Sequence, residues 1–228
     1  MTTHVLTGAG SGIGRALAER LRDRGDRLVL LLRDAGRIDD LRADFPDAVF
    51  VEADLSRPAS LRGLGGAVAG PVDSLVHVAG AVDLADLAET SLESWQHQLD
   101  VNLTAPAVLS RELLPQLRAA RGTVLFVNST AALGPGAAWS AYAAAKAGLR
   151  ALADSLRAEE EKNGVRVTTA FPSRTATPMQ EKVHAQEGRE YDAAQWLTPG
   201  TVAATLLHVL DLPADATVPE VTLRPRSG

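Results

Sequence analysis

Apolar positions along this chain fall into two alternating patterns. Short apolar runs are separated by longer stretches in which leucine or alanine returns every three or four residues. The runs at residues 4–7, 28–32, 48–51, 74–78, 123–127, 165–170 and 218–223 predict seven strands. Residues 28–32 are continuously apolar, as a strand buried on both faces requires. Helical spacing covers residues 13–24, where Leu17 and Leu21 stand four apart, and then 36–43, 58–68, 92–118, 139–162 and 199–210. Pro58 and Pro199 stand near helix starts, where the missing proline N–H does no harm. Pro106 and Pro115 predict a kink or break within 92–118. Residues 172–197 keep neither pattern. They are expected to form a mobile flap, with a plain surface loop as the alternative.

Strands that alternate with helices build a parallel sheet covered on both faces. Right-handed crossovers make such a sheet doubly wound. The expectation is an α/β fold with a seven-stranded parallel sheet flanked by helices, in a single domain over residues 1–228. No flexible linker and no repeat of solenoid period interrupts it.

Composition narrows the function. With 23 basic and 28 acidic residues the net charge is −5, a poor balance for general binding of nucleic acid or anionic lipid. There are no cysteines, which excludes disulfides, thiolate metal sites and cysteine nucleophiles. No signal peptide is visible, and no apolar run approaches the ~20 residues that span a bilayer. The expected location is the cytoplasm, with no metal, no nucleic acid and no membrane as partner.

The first strand runs into Thr7-Gly8-Ala9-Gly10-Ser11-Gly12-Ile13-Gly14. Glycines in such a turn permit a tight bend, close backbone approach to a phosphate, and close helix–strand packing. The helix that begins near Gly12 aims its free N–H groups and dipole at an anion. A nucleotide is therefore expected here. Its type is decided at the end of the second strand, Leu31-Leu32-Arg33-Asp34. A ribose 2′-hydroxyl wants a carboxylate and a 2′-phosphate wants a cation. Leu32 takes the acidic position and Arg33 follows it, with Ser11 and Arg15 on the neighbouring turn. The expectation is NADP(H) over NAD(H). The competing explanation makes Asp34 the ribose ligand and turns Arg33 to solvent. Asp54 and Leu55, after the third strand, stand where an adenine amino group could be received.

Tyr142 and Lys146 are four apart in a predicted helix and share one face. A nearby ammonium lowers the pKa of a phenol from its usual ~10 and suits it to proton transfer. Ser129, thirteen residues earlier at the end of a strand, can hydrogen-bond a carbonyl oxygen. Asn102 lies inside a predicted helix, where asparagine is an unfavourable filler.

Thr7-Gly8-x-x-x-Gly12-x-Gly14, Asp54, Ala79-Gly80, Asn102, Ser129, Tyr142-x-x-x-Lys146 and the segment from Pro172 to Met179 follow one another in the order of the short-chain dehydrogenase/reductase family, and the chain resembles that family over essentially its whole length. The resemblance implies a Rossmann fold and hydride exchange between a nicotinamide and a carbonyl or secondary alcohol. It implies that Tyr142 is the acid/base, that Lys146 lowers its pKa and binds the nicotinamide ribose, that Ser129 orients the substrate oxygen, and that Asn102 holds a water linking Lys146 to solvent. It assigns Gly8, Ser11, Gly12, Ile13, Gly14, Arg33, Asp54, Leu55, Ala79, Gly80, Tyr142, Lys146, Pro172, Thr175 and Thr177 to the cofactor. The residues 176–197 become a substrate flap facing the loop 81–90, with Arg174 able to meet either a substrate anion or a flap acid. A small-molecule substrate and a homodimer or homotetramer are also implied. The chain departs from the family twice. His77 stands where the family has the first asparagine of Asn-Asn-Ala-Gly, and Ser173 where it has the glycine of Pro-Gly. Those departures keep a second reading open, a catalytically idle Rossmann protein that binds a nucleotide.

Overall fold

The apolar runs become the strands of one sheet. A computed structural model describes residues 1–226. In chain order the strands are β1 (Thr3–Thr7), β2 (Arg27–Leu32), β3 (Val49–Glu52), β4 (Ser74–His77), β5 (Thr123–Val127), β6 (Arg166–Pro172) and β7 (Glu220–Leu223). They lie in the order β3-β2-β1-β4-β5-β6-β7, and every neighbouring pair is parallel. All five residues of β1 and of β5 are buried, as central strands of a sheet covered on both faces must be.

The helices are α1 (Gly12–Asp23), α2 (Ala35–Arg42), α3 (Leu92–Leu99), α4 (Ala105–Ala120), α5 (Ser140–Glu160), α6 (Pro178–Gln186) and α7 (Pro199–Leu210). One core forms where Leu109, Leu113 and Leu117 of α4 and Leu149, Ala153 and Leu156 of α5 meet Val5, Leu75, Val124 and Phe126. The other forms where Leu17 and Leu21 of α1 and Val202, Leu206 and Val209 of α7 meet Leu6, Leu30, Val76 and Leu125. Alternate residues of the central strands thus serve opposite cores, which is why those strands present no face to solvent. The chain direction of winding reverses between β1 and β4. Such a switch point opens a crevice at the carboxyl ends of the strands. Among the described residues no helix is long and apolar enough to cross a membrane.

Two elements differ from expectation, and a third follows it in part. Residues 58–68 form two short 3-10 turns, Pro58–Leu61 and Leu64–Ala67, separated at Gly63, whose φ of 80° ends any helix. Residues 92–118 do break, through a widened π-helical turn at Asp100–Thr104 between α3 and α4. There the Ala105 N–H reaches back five residues to the Asp100 carbonyl. The next residue, Pro106, has no N–H to give, and its ring opposes a regular turn beneath it. Pro115 does not break α4, which runs through it. Finally, the segment expected to be irregular holds α6. Thr177 caps that helix by accepting from the Gln180 N–H, and Pro178 starts it.

His77 is settled by packing. Its ring stacks on Phe126 with centroids 4.9 Å apart and planes 6° off parallel, and Nε2 lies 3.0 Å from the Ser110 hydroxyl. Burial, helped by the Lys146 charge, pushes its pKa down to about 3. The folded value lies below the unfolded one, near ~6.5. Between these values the unfolded chain binds a proton that the folded chain refuses, so stability falls as pH drops through 6.5 toward 3. From pH 7.5 to 5 this removes about 2 kcal/mol, or roughly 4–8 °C of melting temperature. His77→Asn should flatten that loss in thermal melts across pH. An unchanged pH slope would disprove a buried neutral imidazole.

Candidate active site

The crevice at the switch point is a cavity of about 680 Å³. Its floor is the glycine turn. Gly8 has φ +75°, and a Cβ there would stand 2.7 Å from the Ala79 nitrogen. Gly12 has φ +53° and faces the Thr177 methyl. Thr7 locks the turn to the next strand, its hydroxyl accepting from the Val78 and Ala79 N–H groups. The N-cap of α1, Ser11, makes no side-chain capping bond, and the first turn carries no acid. The helix dipole and its open N–H groups are left for an anion. A nicotinamide dinucleotide fits this floor. Gly8, Ser11, Gly12, Ile13 and Gly14 all line it, and the absence of side chains at Gly8 and Gly12 lets the turn pack tightly against Ala79 and Thr177.

One end of the cavity is lined by Arg33, Arg37, Asp54, Leu55 and Ser56. Asp34 is engaged as the N-cap of α2, where it accepts from the Arg37 N–H at 3.0 Å and from Arg33 at 3.1 Å. These bonds hold its carboxyl below the usual range, the Arg37 backbone bond leading. The exposed Arg33 faces the cavity. Arg15 does not join it. Its guanidinium is tied to Asp44 and Glu19, and the cation that takes its place is Arg37. Asp54 closes a turn by accepting from the Ser56 N–H and hydroxyl.

Ser129, Tyr142 and Lys146 converge on the same cavity, with Ala79 and Gly80 opposite. Asn128 fixes the end of β5 against α5. Its Oδ1 accepts from the Ser129 N–H, and its Nδ2 donates to the Lys146 carbonyl. The Ser129 hydroxyl accepts from the Ala131 N–H, so its own proton is free to donate elsewhere. The Lys146 ammonium donates to the Val127 carbonyl at 3.0 Å and lies 5.7 Å from the Tyr142 ring centroid. Burial dominates both titrations. It pushes the Tyr142 phenol up to about 12, against a smaller downward pull from Ser129. It pushes the Lys146 ammonium down to about 8. A phenol lowered by its lysine is therefore not what the chain alone provides. Desolvation is the leading cause for both groups.

Asn102 sits in the π-helical turn, behind the wall. Its Nδ2 donates to the Ala81 and Gln98 carbonyls and its Oδ1 accepts from the Ala81 N–H. Gly80 makes the room, since a Cβ there would stand 3.0 Å from that Oδ1. Asn102 positions the loop and does not reach the cavity through its side chain. Pro172, Thr175 and Thr177 line the cavity. The Thr175 hydroxyl donates to the Ser173 carbonyl, and the Thr177 hydroxyl to the Thr175 carbonyl. The Ser173 hydroxyl, where the family has glycine, is buried without a hydrogen-bond partner among the described residues.

The flap lies against the loop that follows β4. Lys182 donates to the Val82 carbonyl and to Asp83, and Gln186 donates to Asp83. Gln98 holds that loop from the other side, donating to the Asp83 carbonyl and accepting from its N–H. Arg174 is taken by Glu187. Met179 lines the cavity, whereas Trp196 lies outside it against Arg174 and His184.

A glycine floor for a dinucleotide, next to a hydroxyl, a phenol and an ammonium, defines an oxidoreductase of Rossmann type. The comparisons give the class a family. A family model described as short chain dehydrogenase matches residues 2–188. A short-chain type dehydrogenase/reductase of Sinorhizobium fredii is 31% identical, over 97% of this chain and 90% of its own. A crystal structure of a short chain dehydrogenase/reductase family oxidoreductase from Burkholderia thailandensis is 31% identical. It superposes with a TM-score of 0.85, covering 98% of this chain and 91% of its own. An alcohol dehydrogenase from the archaeon Thermococcus sibiricus, complexed with 5-hydroxy-NADP, is 25% identical with a TM-score of 0.88, over 100% of this chain and 99% of its own. The chain belongs to the short-chain dehydrogenase/reductase family, oxidoreductases that use a nicotinamide cofactor on small molecules.

Proposed function

We propose that this protein is an NADP(H)-dependent oxidoreductase that interconverts a carbonyl and a secondary alcohol, with Tyr142 as acid/base. The observation that carries the reading is the sharing of one cavity by Arg33 and Arg37 at one end and Ser129, Tyr142 and Lys146 at the other. When bound, the cofactor supplies or accepts the hydride at its nicotinamide C4. In reduction, the Tyr142 hydroxyl gives its proton to the substrate oxygen as the carbon gains the hydride. The Ser129 hydroxyl donates a hydrogen bond to the same oxygen and stabilises the charge that grows there. The Lys146 ammonium steadies the phenolate left behind until a solvent proton restores the phenol. Asn102 keeps the loop after β4 in place. Arg33 and Arg37 hold the 2′-phosphate, for which a guanidinium fork is suited. The 5-hydroxy-NADP complex of the Thermococcus sibiricus relative supports this choice of cofactor.

A fluorescence titration of NADPH against NADH tests the cofactor. NADPH should bind at least tenfold more tightly, about 1.4 kcal/mol. The double variant Arg33→Ala/Arg37→Ala should erase that preference and leave NADH affinity in place. Preference for NADH would hand the ribose to Asp34. The unpartnered Ser173 hydroxyl favours the second reading, a nucleotide binder without turnover, which would keep NADPH affinity and have no activity that depends on Tyr142.

A further inference from the structure

One side of the cavity at Tyr142 is apolar. Val82, Tyr142 and Val183 form a small buried cluster, with Ala131 and Trp139 packed on it. The Trp139 ring meets the Tyr142 ring edge-on, with centroids 5.7 Å apart. Arg174 is the guanidinium at this wall, and both of its terminal nitrogens are already paired with one carboxylate. Trp139 and Trp196 lie against it at 5.9 and 5.5 Å. Its two terminal nitrogens donate to the two Glu187 oxygens at 2.8 and 2.6 Å. Both side chains are mostly buried, at 25% and 15% exposure. A substrate carboxylate here would have to break a mostly buried fork, leaving Glu187 unpaired, or lie beside a second carboxylate. Either arrangement is strongly unfavourable.

We propose, building on the oxidoreductase reading above, that the substrate is an uncharged, flat, mainly apolar carbonyl compound, and that Glu187 sets this selectivity by occupying Arg174. Aryl ketones and diketones suit the Trp139 and Val183 walls. Aryl keto acids of the same outline do not.

Two compounds of matched shape separate the possibilities, 1-phenyl-1,2-propanedione and phenylglyoxylate. Binding is read first, without turnover, as quenching of tryptophan fluorescence in the NADP⁺-loaded protein. The dione should bind at least about tenfold more tightly. Steady-state kcat/KM with NADPH should show the same order. Glu187→Gln should then raise kcat/KM for phenylglyoxylate about tenfold or more, with NADPH affinity as the check that the site is intact. Tighter binding of phenylglyoxylate by the wild-type protein would overturn the proposal, whether or not the variant folds. So would an unchanged substrate ratio in a Glu187→Gln protein that still binds NADPH. Binding in the expected order with no turnover of either compound would uphold the selectivity and defeat the oxidoreductase reading.

Discussion

Tyr142→Phe should lower reductive kcat by about 10²–10⁴-fold, the range that a positioned general acid contributes, while NADPH affinity stays within a factor of three. The variant keeps the ring that packs against Trp139 and removes only the hydroxyl, so the fold is not at stake. The titrations of this pair give a second reading of the same step. Burial holds the phenol proton up to about pH 12, so the acid for reduction is in place throughout the ordinary range. Lys146 loses its proton near 8. Reductive kcat/KM should therefore be flat below pH 8 and fall above it, as the charge that steadies the phenolate is lost. Oxidation needs the phenolate and should rise with pH instead. A Tyr142→Phe protein with wild-type turnover would remove the phenol from the reaction. A reductive profile that rises through pH 8 would remove the lysine's part in it.

The sequence carried this site unevenly, and the reasons are physical. The spacing of Tyr142 and Lys146 is a property of a helix turn, so their common face was legible from residue numbers. Their pKa values depend on how deeply α5 is buried, which spacing does not encode, and in the chain alone burial pushes the tyrosine up rather than down. Gly8 and Gly12 announced a tight turn because few other residues adopt their positive φ. Arg15 and Arg37 could not be ranked in the same way. Arg15 is drawn off by Asp44, 29 residues away, a pairing visible only once α1 and α2 are placed. A local signal for Arg37 did exist, since it is the third residue after the capping Asp34. Helix α6 was hidden by its mixed composition, although Thr177-Pro178 repeats the Thr198-Pro199 start that marks α7. His77 could not be placed without Ser110 and Phe126, which stand opposite it only in the folded sheet. Local geometry was readable, and contacts across the fold were not.

Gly14→Ala should be among the most damaging single-methyl changes available to this chain. A Cβ at that position would overlap the Gly8 carbonyl oxygen and stand 2.6 Å from its carbon. Both obstacles are backbone, so no side-chain rotation relieves them. The strain can be released only by opening the turn between β1 and α1, which displaces the α1 face carrying Leu17 and Leu21 from its core. A loss of about 3 kcal/mol is expected, the upper part of the range for overpacking. For a chain of this size that is roughly 6–12 °C of melting temperature. The same shift turns the N–H groups of α1 away from the cofactor pyrophosphate, so NADPH affinity should fall by about two orders of magnitude, near 2.7 kcal/mol. Gly10→Ala is the matched control. It adds the same methyl in the same turn, where the nearest atom would be a flexible Leu41 carbon at 3.9 Å, and it should melt within about 2 °C of wild type. If both variants melted with the wild-type protein, close packing of helix on strand would not be what Gly14 provides. If both were equally damaged, the turn would be intolerant of any side chain, and contact between Gly14 and Gly8 would not be the cause.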